Sequence, residues 1–287
     1  MEKINLNSYK DWLDTFLAPT SVKNRHYYAR RFVAWLENQG VHTPWDAATT
    51  HVSQFIIHGG KAPSTKKNIR DGLTCLYRWG ISTGQTTNDP VKAIPRIRVP
   101  AHQPRPTHPD FIDKAFRSCK HFNDVTMIVL ALYAGLRCKE IASLHSNDIY
   151  DGQIRVQGKG SRVRYVPVHA MLEVLIPHIP AGWVFPSGRN PTGHYLPASI
   201  SQRLGDLLGP EGPGGHSLRH HFATELYSRT HDLILIQELL GHASIATTRI
   251  YTRGDSSRLA PAVRALPRRD AVTEATRRAL SNLKKAS

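Results

Sequence analysis

Apolar residues recur every three or four positions through the first hundred residues, which is the spacing of amphipathic helices. This pattern predicts helices at about residues 8–17, 20–39 and 49–60, and a fourth that begins at Ser64. Pro19 is expected to end the first helix, because proline cannot continue the hydrogen-bond pattern of a helix. We therefore predict a helical N-terminal domain.

Helical spacing returns after Pro109 and is interrupted once, where apolar and polar residues alternate at 153–157 and 162–166. Gly158 and the next three residues separate these two segments and predict the turn of a β-hairpin. Further helices are predicted at 124–136, 140–144, 198–208, 217–228, 233–240, 245–251 and 270–285. The predicted fold class is mainly α, with a helical domain followed by an α+β domain that contains a small antiparallel sheet or hairpin.

A proline-rich basic segment separates the two regions. Residues 95–108 contain four prolines and three arginines, and this density of proline prevents regular hydrogen bonding. We expect an extended, positively charged linker here. The predicted domains are therefore 1–94 and 109–287, joined by 95–108.

Composition then narrows the class of partner. The 287 residues include 38 Lys and Arg against 22 Asp and Glu, so the net charge is +16, divided as +7 over residues 1–100 and +9 over the remainder. Such a charge favours a polyanion, nucleic acid before a membrane surface, although a basic protein without such a partner stays open. No apolar run is long enough to span a bilayer, and the first 20 residues show no secretory signal. Three scattered cysteines are typical of a cytoplasmic protein without a disulfide framework.

Two basic clusters are candidates for contact with DNA phosphates. In the helix after Ser64, the face opposite the apolar stripe carries Lys66, Lys67, Arg70 and Arg78. In the predicted hairpin, Arg162 and Arg164 lie beside the turn. Solvated surface charge is the alternative for both clusters.

Two familiar kinds of site are disfavoured by the spacing. Gly158 and Lys159 do not form a phosphate-binding loop, because Gly160 stands where Ser or Thr is needed and the flanking segments are strands. His216 and His220 have the i, i+4 spacing of zinc ligands, but no carboxylate or cysteine ligand stands out nearby. We predict no metal site and no cofactor.

Five motifs in fixed order resemble the tyrosine recombinase family, which comprises the phage integrases and the Xer-type site-specific recombinases. They are the A-G-L-R-x-x-E box at 134–140, the G-K-G turn at 158–160, the H-x-L-R-H box at 216–220, the L-G-H box at 240–242, and Tyr251, nine residues after the last histidine. The resemblance is specific over about residues 125–253. It is looser over residues 8–90, which resemble the family's core-binding domain, a SAM-like bundle of four helices.

The resemblance implies a role for each matched residue in phosphoryl transfer. Tyr251 is the nucleophile, and Arg137 and Arg219 hold the non-bridging oxygens of the phosphate. Lys159 protonates the leaving 5′-hydroxyl as a general acid. The remaining matched residues are His216, which assists proton transfer, His242, which donates a hydrogen bond to the phosphate, and Glu140, which orients its neighbours.

The implied function is site-specific recombination of double-stranded DNA through a 3′-phosphotyrosine and a Holliday junction, without ATP or metal. The resemblance further implies a homotetramer on core-type sites, a monomer or weak oligomer in the free state, and a possible directionality factor. A C-terminal helix at about 271–283 is expected to dock on a neighbouring protomer, with a flexible basic tail as the alternative. Since the first predicted helix starts near residue 8, we expect no arm-binding domain before it.

Integration or excision of a phage or other mobile element is the preferred role. A Xer-type recombinase that resolves chromosome dimers is the main alternative, and neighbouring genes would distinguish the two. A type IB topoisomerase is disfavoured by the compact H-x-L-R-H and L-G-H boxes. A non-catalytic DNA-binding protein is disfavoured because such a protein has no need for Tyr251.

Overall fold

The computed structural model describes residues 4–100, 107–158, 162–212, 214–241 and 256–286. The chain forms two compact units, Met1–His102 and Gln103–Ser287. The boundary between them falls inside the predicted linker. The prediction of a mainly α fold with one small antiparallel sheet is confirmed.

The first unit is helical. Its helices are α1 Leu6–Asp14, α2 Pro19–Glu37, α3 Thr49–Gly59 and α4 Pro63–Ser82, with a short 3₁₀ helix at Pro44–Asp46. The Asn5 side chain caps α1 by accepting hydrogen bonds from two backbone N–H groups of its first turn. The prediction that Pro19 ends the first helix is wrong, because Pro19 is the first residue of α2, where its missing N–H costs no hydrogen bond.

Helices α2 and α4 pack against each other around an aromatic core. Phe32 and Tyr77 are fully buried in this core, and the Tyr77 hydroxyl donates a 2.6 Å hydrogen bond to the Pro44 carbonyl. Ile97 packs against the same core. Arg70 donates two hydrogen bonds to the Ile94 carbonyl, at 2.9 and 3.2 Å. The first residues of the predicted linker are therefore held against the helical unit.

The second unit combines helices with a three-stranded sheet. Its helices are α5 Pro109–Ser118, α6 Phe122–Tyr133, α7 Cys138–Ala142, α8 Ala170–Glu173, α9 Pro197–Leu208, α10 His216–Thr230, α11 Leu233–Leu240, α12 Ser256–Arg264 and α13 Asp270–Ala286, with 3₁₀ turns at Ser146–Asp148 and Ile176–His178. Every residue of α6 except Asn123 is buried, so this helix forms the centre of the core. The helix predicted at 245–251 lies outside the described residues. No helix in the described ranges is both long enough and apolar enough to cross a membrane.

The sheet consists of β1 Ile149–Tyr150, β2 Gln153–Gln157 and β3 Val163–Pro167, in that order and antiparallel. The predicted hairpin is β2 and β3, with Gln157 opposite Val163. The sequence pattern missed β1, since two residues are too few to show an alternation. The Gly158 N–H donates a 2.7 Å hydrogen bond to the Arg162 carbonyl, which extends the pairing of the two strands by one residue on each side.

The C-terminal helix α13 packs against α5 and α6 of its own chain. Val272 is fully buried, and the Arg278 side chain donates to the Phe116 carbonyl at 3.2 Å. The alternative of a flexible tail is wrong for this segment, because the chain's own helices cover its apolar face. Docking of this helix on a neighbouring protomer stays a prediction.

Gly135 lies between the end of α6 and Arg137, within the A-G-L-R-x-x-E box. Its φ of +60° lies in the left-handed region, and a Cβ atom here would lie 2.5 Å from Cδ1 of Phe222. The chain thus needs glycine at this position for two independent reasons, its backbone conformation and the lack of space.

We predict that Gly135→Ala lowers the free energy of unfolding by about 3 kcal/mol, through left-handed strain and overpacking against Phe222. Gly152→Ala is the matched control, because Gly152 has a φ of +69° but a Cβ atom there would have no neighbour within 4 Å. This control should lose only about 1 kcal/mol. Urea unfolding followed by circular dichroism measures both variants, and equal losses would contradict the packing argument.

Candidate active site

Arg137 and Glu140 are joined by a helix cap. Arg137 immediately precedes α7, and Glu140 lies in the first turn of that helix. The Glu140 carboxylate accepts hydrogen bonds from the backbone N–H of Arg137 at 2.8 Å and from its Nη1 at 2.9 Å. The Arg137 side chain is 35% exposed, whereas that of Glu140 is 4% exposed. Glu140 therefore holds the backbone N–H and one guanidinium nitrogen of Arg137, while the rest of this guanidinium is open to solvent.

The Glu140 carboxylate is surrounded by further arginines. Arg164 Nη1 and Nη2 donate to its two oxygens at 2.9 and 2.8 Å, and Arg219 Nη1 lies 3.6 Å from Oε2. Burial alone would raise the pKa of Glu140, but the hydrogen bonds and charge of Arg164, with Arg137 and Arg219, lower it to about 2. Glu140 is thus ionised at any pH at which the protein is expected to act.

Arg219 is held by backbone carbonyls from two other segments. It lies near the start of α10, and its guanidinium donates to the carbonyls of Gly135, at 2.5 Å, and of Leu240, at 2.6 Å. Burial and the charge of Arg137 lower the pKa of Arg219 to about 9, so it remains protonated at neutral pH. These bonds hold the A-G-L-R-x-x-E box, α10 and the end of α11 close together.

His216 is the first residue of α10 and is exposed. Partial burial lowers its pKa, and the charges of His220, Arg219 and Arg137 lower it further. The neutral imidazole is therefore favoured at pH 7, and a neutral imidazole can accept a proton. The rings of His216 and His220 meet edge to face, with their centroids 5.2 Å apart. Among the described residues, no group of three His, Cys, Asp or Glu side chains is arranged to hold a metal ion.

The structure thus brings together four of the predicted site residues, Arg137, Glu140, His216 and Arg219. The other three, Lys159, His242 and Tyr251, lie outside the described residues. These three residues fall in two gaps, 159–161 and 242–255. Strands β2 and β3 flank the first gap, and helices α11 and α12 flank the second. Of these elements, β3 and α11 are connected to Glu140 through Arg164 or Arg219.

The predicted DNA contact by Arg164 is wrong, because this side chain is buried and its guanidinium is occupied within the protein. The strand alternation already indicated that Arg164 faces inward, because residues two positions apart on a strand share one face and Val166 is buried. Arg70 is half-buried, and its guanidinium is held by the Ile94 carbonyl. The other candidates are half-buried or exposed, and Lys67 also pairs with Asp71 at 2.8 Å. They are Lys66, Lys67, Arg78 and Arg162.

We predict that Glu140→Gln lowers the free energy of unfolding by about 3 kcal/mol at pH 7, because it leaves buried arginines without their counter-ion. A carboxyl pKa that is lowered from 4.5 to about 2 stabilises the fold above pH 4.5, and this contribution is lost as the pH falls toward 2. The difference from wild type should therefore shrink to roughly half at pH 3. Urea unfolding at both pH values measures it.

Glu225→Gln is the matched control. The Glu225 carboxylate pairs with Arg229 one turn later in α10, and both side chains are partly exposed. This change should cost less than about 1 kcal/mol at either pH. A Glu140→Gln variant with a loss this small would show that the arginines do not depend on the carboxylate.

Comparison with known proteins agrees with these motifs. Residues 108–258 match the phage integrase family. Tyrosine recombinase XerC of Chromohalobacter salexigens is 31% identical over 226 residues, which cover 71% of this chain and 74% of the relative.

Two solved structures are similar along most of the chain. The integrase from mycobacterium phage Brujita has a TM-score of 0.54 and 26% identity, and the match covers 94% of this chain and 96% of that one. The XerH site-specific recombinase, solved as a post-cleavage complex bound to palindromic difH substrate, has a TM-score of 0.61 and 25% identity, covering 84% of this chain and 78% of that one. The family resemblance predicted from the motifs is confirmed: this chain belongs to the phage integrase family of tyrosine recombinases, the site-specific enzymes that cleave and rejoin DNA.

Proposed function

We propose that this protein recombines specific duplex DNA sites through a covalent 3′-phosphotyrosine formed by Tyr251, and that it thereby integrates and excises a phage or other mobile element. The observation that carries the proposal is the charge cluster at Glu140. Two arginines from separate motifs, Arg137 and Arg219, pair with this one carboxylate. An ion pair that only stabilised the fold would need a single arginine to neutralise Glu140.

The two arginines suit a phosphodiester in different ways. Arg137 is 35% exposed, so its guanidinium can reach a ligand while Glu140 holds it from behind. Arg219 is 5% exposed and fixed by two carbonyls, so its charge is preorganised. Fixed charges of this kind stabilise the negative charge that develops on the non-bridging oxygens of a five-coordinate phosphorus.

The proposed cleavage step balances without a further reactant. The Tyr251 oxygen attacks phosphorus, a phosphorus–oxygen bond to Tyr251 forms, and the bond to the 5′-oxygen breaks. The tyrosine proton passes to a base, for which the neutral imidazole of His216 is available. Lys159 donates a proton to the leaving 5′-oxygen, and His242 donates a hydrogen bond to the phosphate. Because the phosphotyrosine retains the energy of the broken bond, the reverse attack by a 5′-hydroxyl rejoins the strand.

Recombination needs two duplexes and four cleavages, so we propose that four copies assemble on the DNA and pass through a Holliday junction. Exposed basic side chains on both units, Arg78 and Arg162 among them, are the proposed phosphate contacts outside the cleavage site. These contacts should make binding depend strongly on salt concentration.

The similarity to the Brujita integrase along nearly the whole length of both chains supports the role in a mobile element. A Xer-type role in resolving chromosome dimers is the second candidate. It is supported by the 31% identity to a XerC protein.

We expect the wild-type protein to form a covalent adduct with a nicked suicide duplex, and Tyr251→Phe to form none, because phenylalanine has no nucleophilic oxygen. The duplex is chosen by selecting tightly bound sequences from a random library with the wild-type protein. Denaturing gel electrophoresis detects the adduct. Tyr227→Phe is the matched control, since Tyr227 is an exposed tyrosine on α10 whose loss should leave adduct formation unchanged. An adduct with the Tyr251→Phe variant would reject the proposed nucleophile.

We expect Lys159→Ala to slow cleavage of a normal duplex by about 10²- to 10⁴-fold, because the 5′-oxygen then leaves without a proton. A duplex with sulfur at the bridging 5′ position should restore the rate, since a thiolate leaves without protonation. Single-turnover rates on the two substrates measure the effect. If the sulfur substrate is cleaved no faster than the oxygen substrate, Lys159 is not the general acid.

A further inference from the structure

We infer that Arg164 is a positioning residue for strand cleavage, which acts by locking Glu140 and the end of α11 in one arrangement. This inference rests on the proposed function for its catalytic consequence. Its structural basis is the set of hydrogen bonds that the Arg164 guanidinium makes inside the second unit.

All three nitrogen atoms of the Arg164 guanidinium donate hydrogen bonds. Nη1 and Nη2 reach the two oxygens of Glu140 at 2.9 and 2.8 Å, and Nε reaches the Leu239 carbonyl at 2.8 Å. The side chain is 8% exposed, so water does not compete for these partners. The planar fork of arginine matches a carboxylate in this way, whereas a lysine ammonium cannot offer the same three directions at once.

Arg164 and its two partners lie in or next to three motifs that are distant in sequence. Arg164 follows Lys159 by five positions on the hairpin, Glu140 follows Arg137 by three, and Leu239 precedes His242 by three. A single side chain therefore connects the elements that carry a proposed acid, a proposed phosphate ligand and a proposed hydrogen-bond donor. A shift of Arg164 would displace all three elements.

Arg164 and Arg219 together hold the last turn of α11. Arg164 binds the Leu239 carbonyl and Arg219 binds the Leu240 carbonyl. The next residue, Gly241, has a φ of +62°, and a Cβ atom there would lie 3.1 Å from Cδ of Arg164. The close packing of Arg164 on this left-handed glycine, which lies one residue before His242 in the sequence, fixes the end of α11.

This pattern of partners favours a positioning role over a mainly stabilising one. A buried ion pair is often no more stable than a well-packed apolar pair, because both ions must be removed from water. What the ionic arrangement adds is orientation, since the bidentate pair has one geometry. Orientation is what an in-line displacement at phosphorus requires, and a small misplacement can reduce its rate about 100-fold.

The test compares Arg164→Lys and Arg164→Gln with wild type on the selected suicide duplex. We expect both variants to remain folded, to bind the duplex with a Kd within about 3-fold of wild type, and to cleave about 100-fold more slowly at saturating protein. Arg155→Lys is the matched control. Arg155 lies on the adjacent strand β2 and pairs with Asp148 at 3.1 Å, near the surface, so its cleavage rate should equal that of wild type.

A double variant distinguishes action through Glu140 from a separate effect. If Arg164 acts through the carboxylate, adding Arg164→Lys to Glu140→Gln should slow cleavage by less than about 3-fold beyond Glu140→Gln alone. If the double variant instead slows cleavage by the product of the two single effects, Arg164 does not act through Glu140. A cleavage rate of Arg164→Lys equal to that of wild type would overturn the positioning role altogether. Loss of cooperative unfolding in both single variants would also overturn it.

Hydrogen exchange provides a readout that does not depend on catalysis. Amide exchange at the C-terminal turn of α11 should be faster in Arg164→Lys than in wild type or in Arg155→Lys, because the Leu239 carbonyl loses its anchor. Unchanged exchange would contradict the structural basis of the inference. If exchange increases while the wild-type protein forms no adduct, the proposed function fails and the locking role of Arg164 stands.

Discussion

The buried carboxylate of Glu140 holds guanidinium groups from three separate segments of the chain. Arg137 belongs to the box that follows α6, Arg164 to the hairpin, and Arg219 to α10. Three positive charges at one place repel each other and are costly to bury, so they require an anion inside the cluster. The helix cap at α7 supplies this anion at a fixed position, because Glu140 is also bonded to the backbone N–H of Arg137. The arrangement of the second unit around its candidate site depends on that carboxylate.

Local patterns in the sequence predicted a helix or strand well where the residues of that element themselves show its hydrophobic periodicity. The alternation at 153–157 matches the strand Gln153–Gln157, and the apolar run at 233–240 matches the helix Leu233–Leu240. The motifs also placed Arg137, Glu140, His216 and Arg219 in one site, and the structure brings these four together. Their spacing in sequence alone does not show this, because the bonds of Arg219 to Gly135 and Leu240 join segments 84 and 21 residues apart.

The errors arose where a residue's role is decided by a distant partner. Arg164 resembles a surface arginine beside a turn until Glu140 and Leu239 are placed next to it. Helix α13 resembles a flexible basic tail until α5 and α6 are seen to cover its apolar face. Neither partner can be read from the local pattern of charge, although the phase of Arg164 with Val166 indicated an inward direction. The fold class could be predicted from the sequence, but the connections between its charged residues could not.

The balance of charge at the site also bears on how it can bind a phosphate. Among the described residues of the cluster, one carboxylate against three guanidinium groups leaves an excess of two positive charges. A phosphodiester carries one negative charge and approaches two as a five-coordinate phosphorus forms, so the excess matches the proposed transition state better than the ground state. If Glu140 were absent, the excess would be three, and the arginines would repel each other out of position. If a second buried carboxylate were present, the attraction for phosphate would be largely cancelled. With one buried carboxylate, the arginines stay in place and can still bind a phosphate.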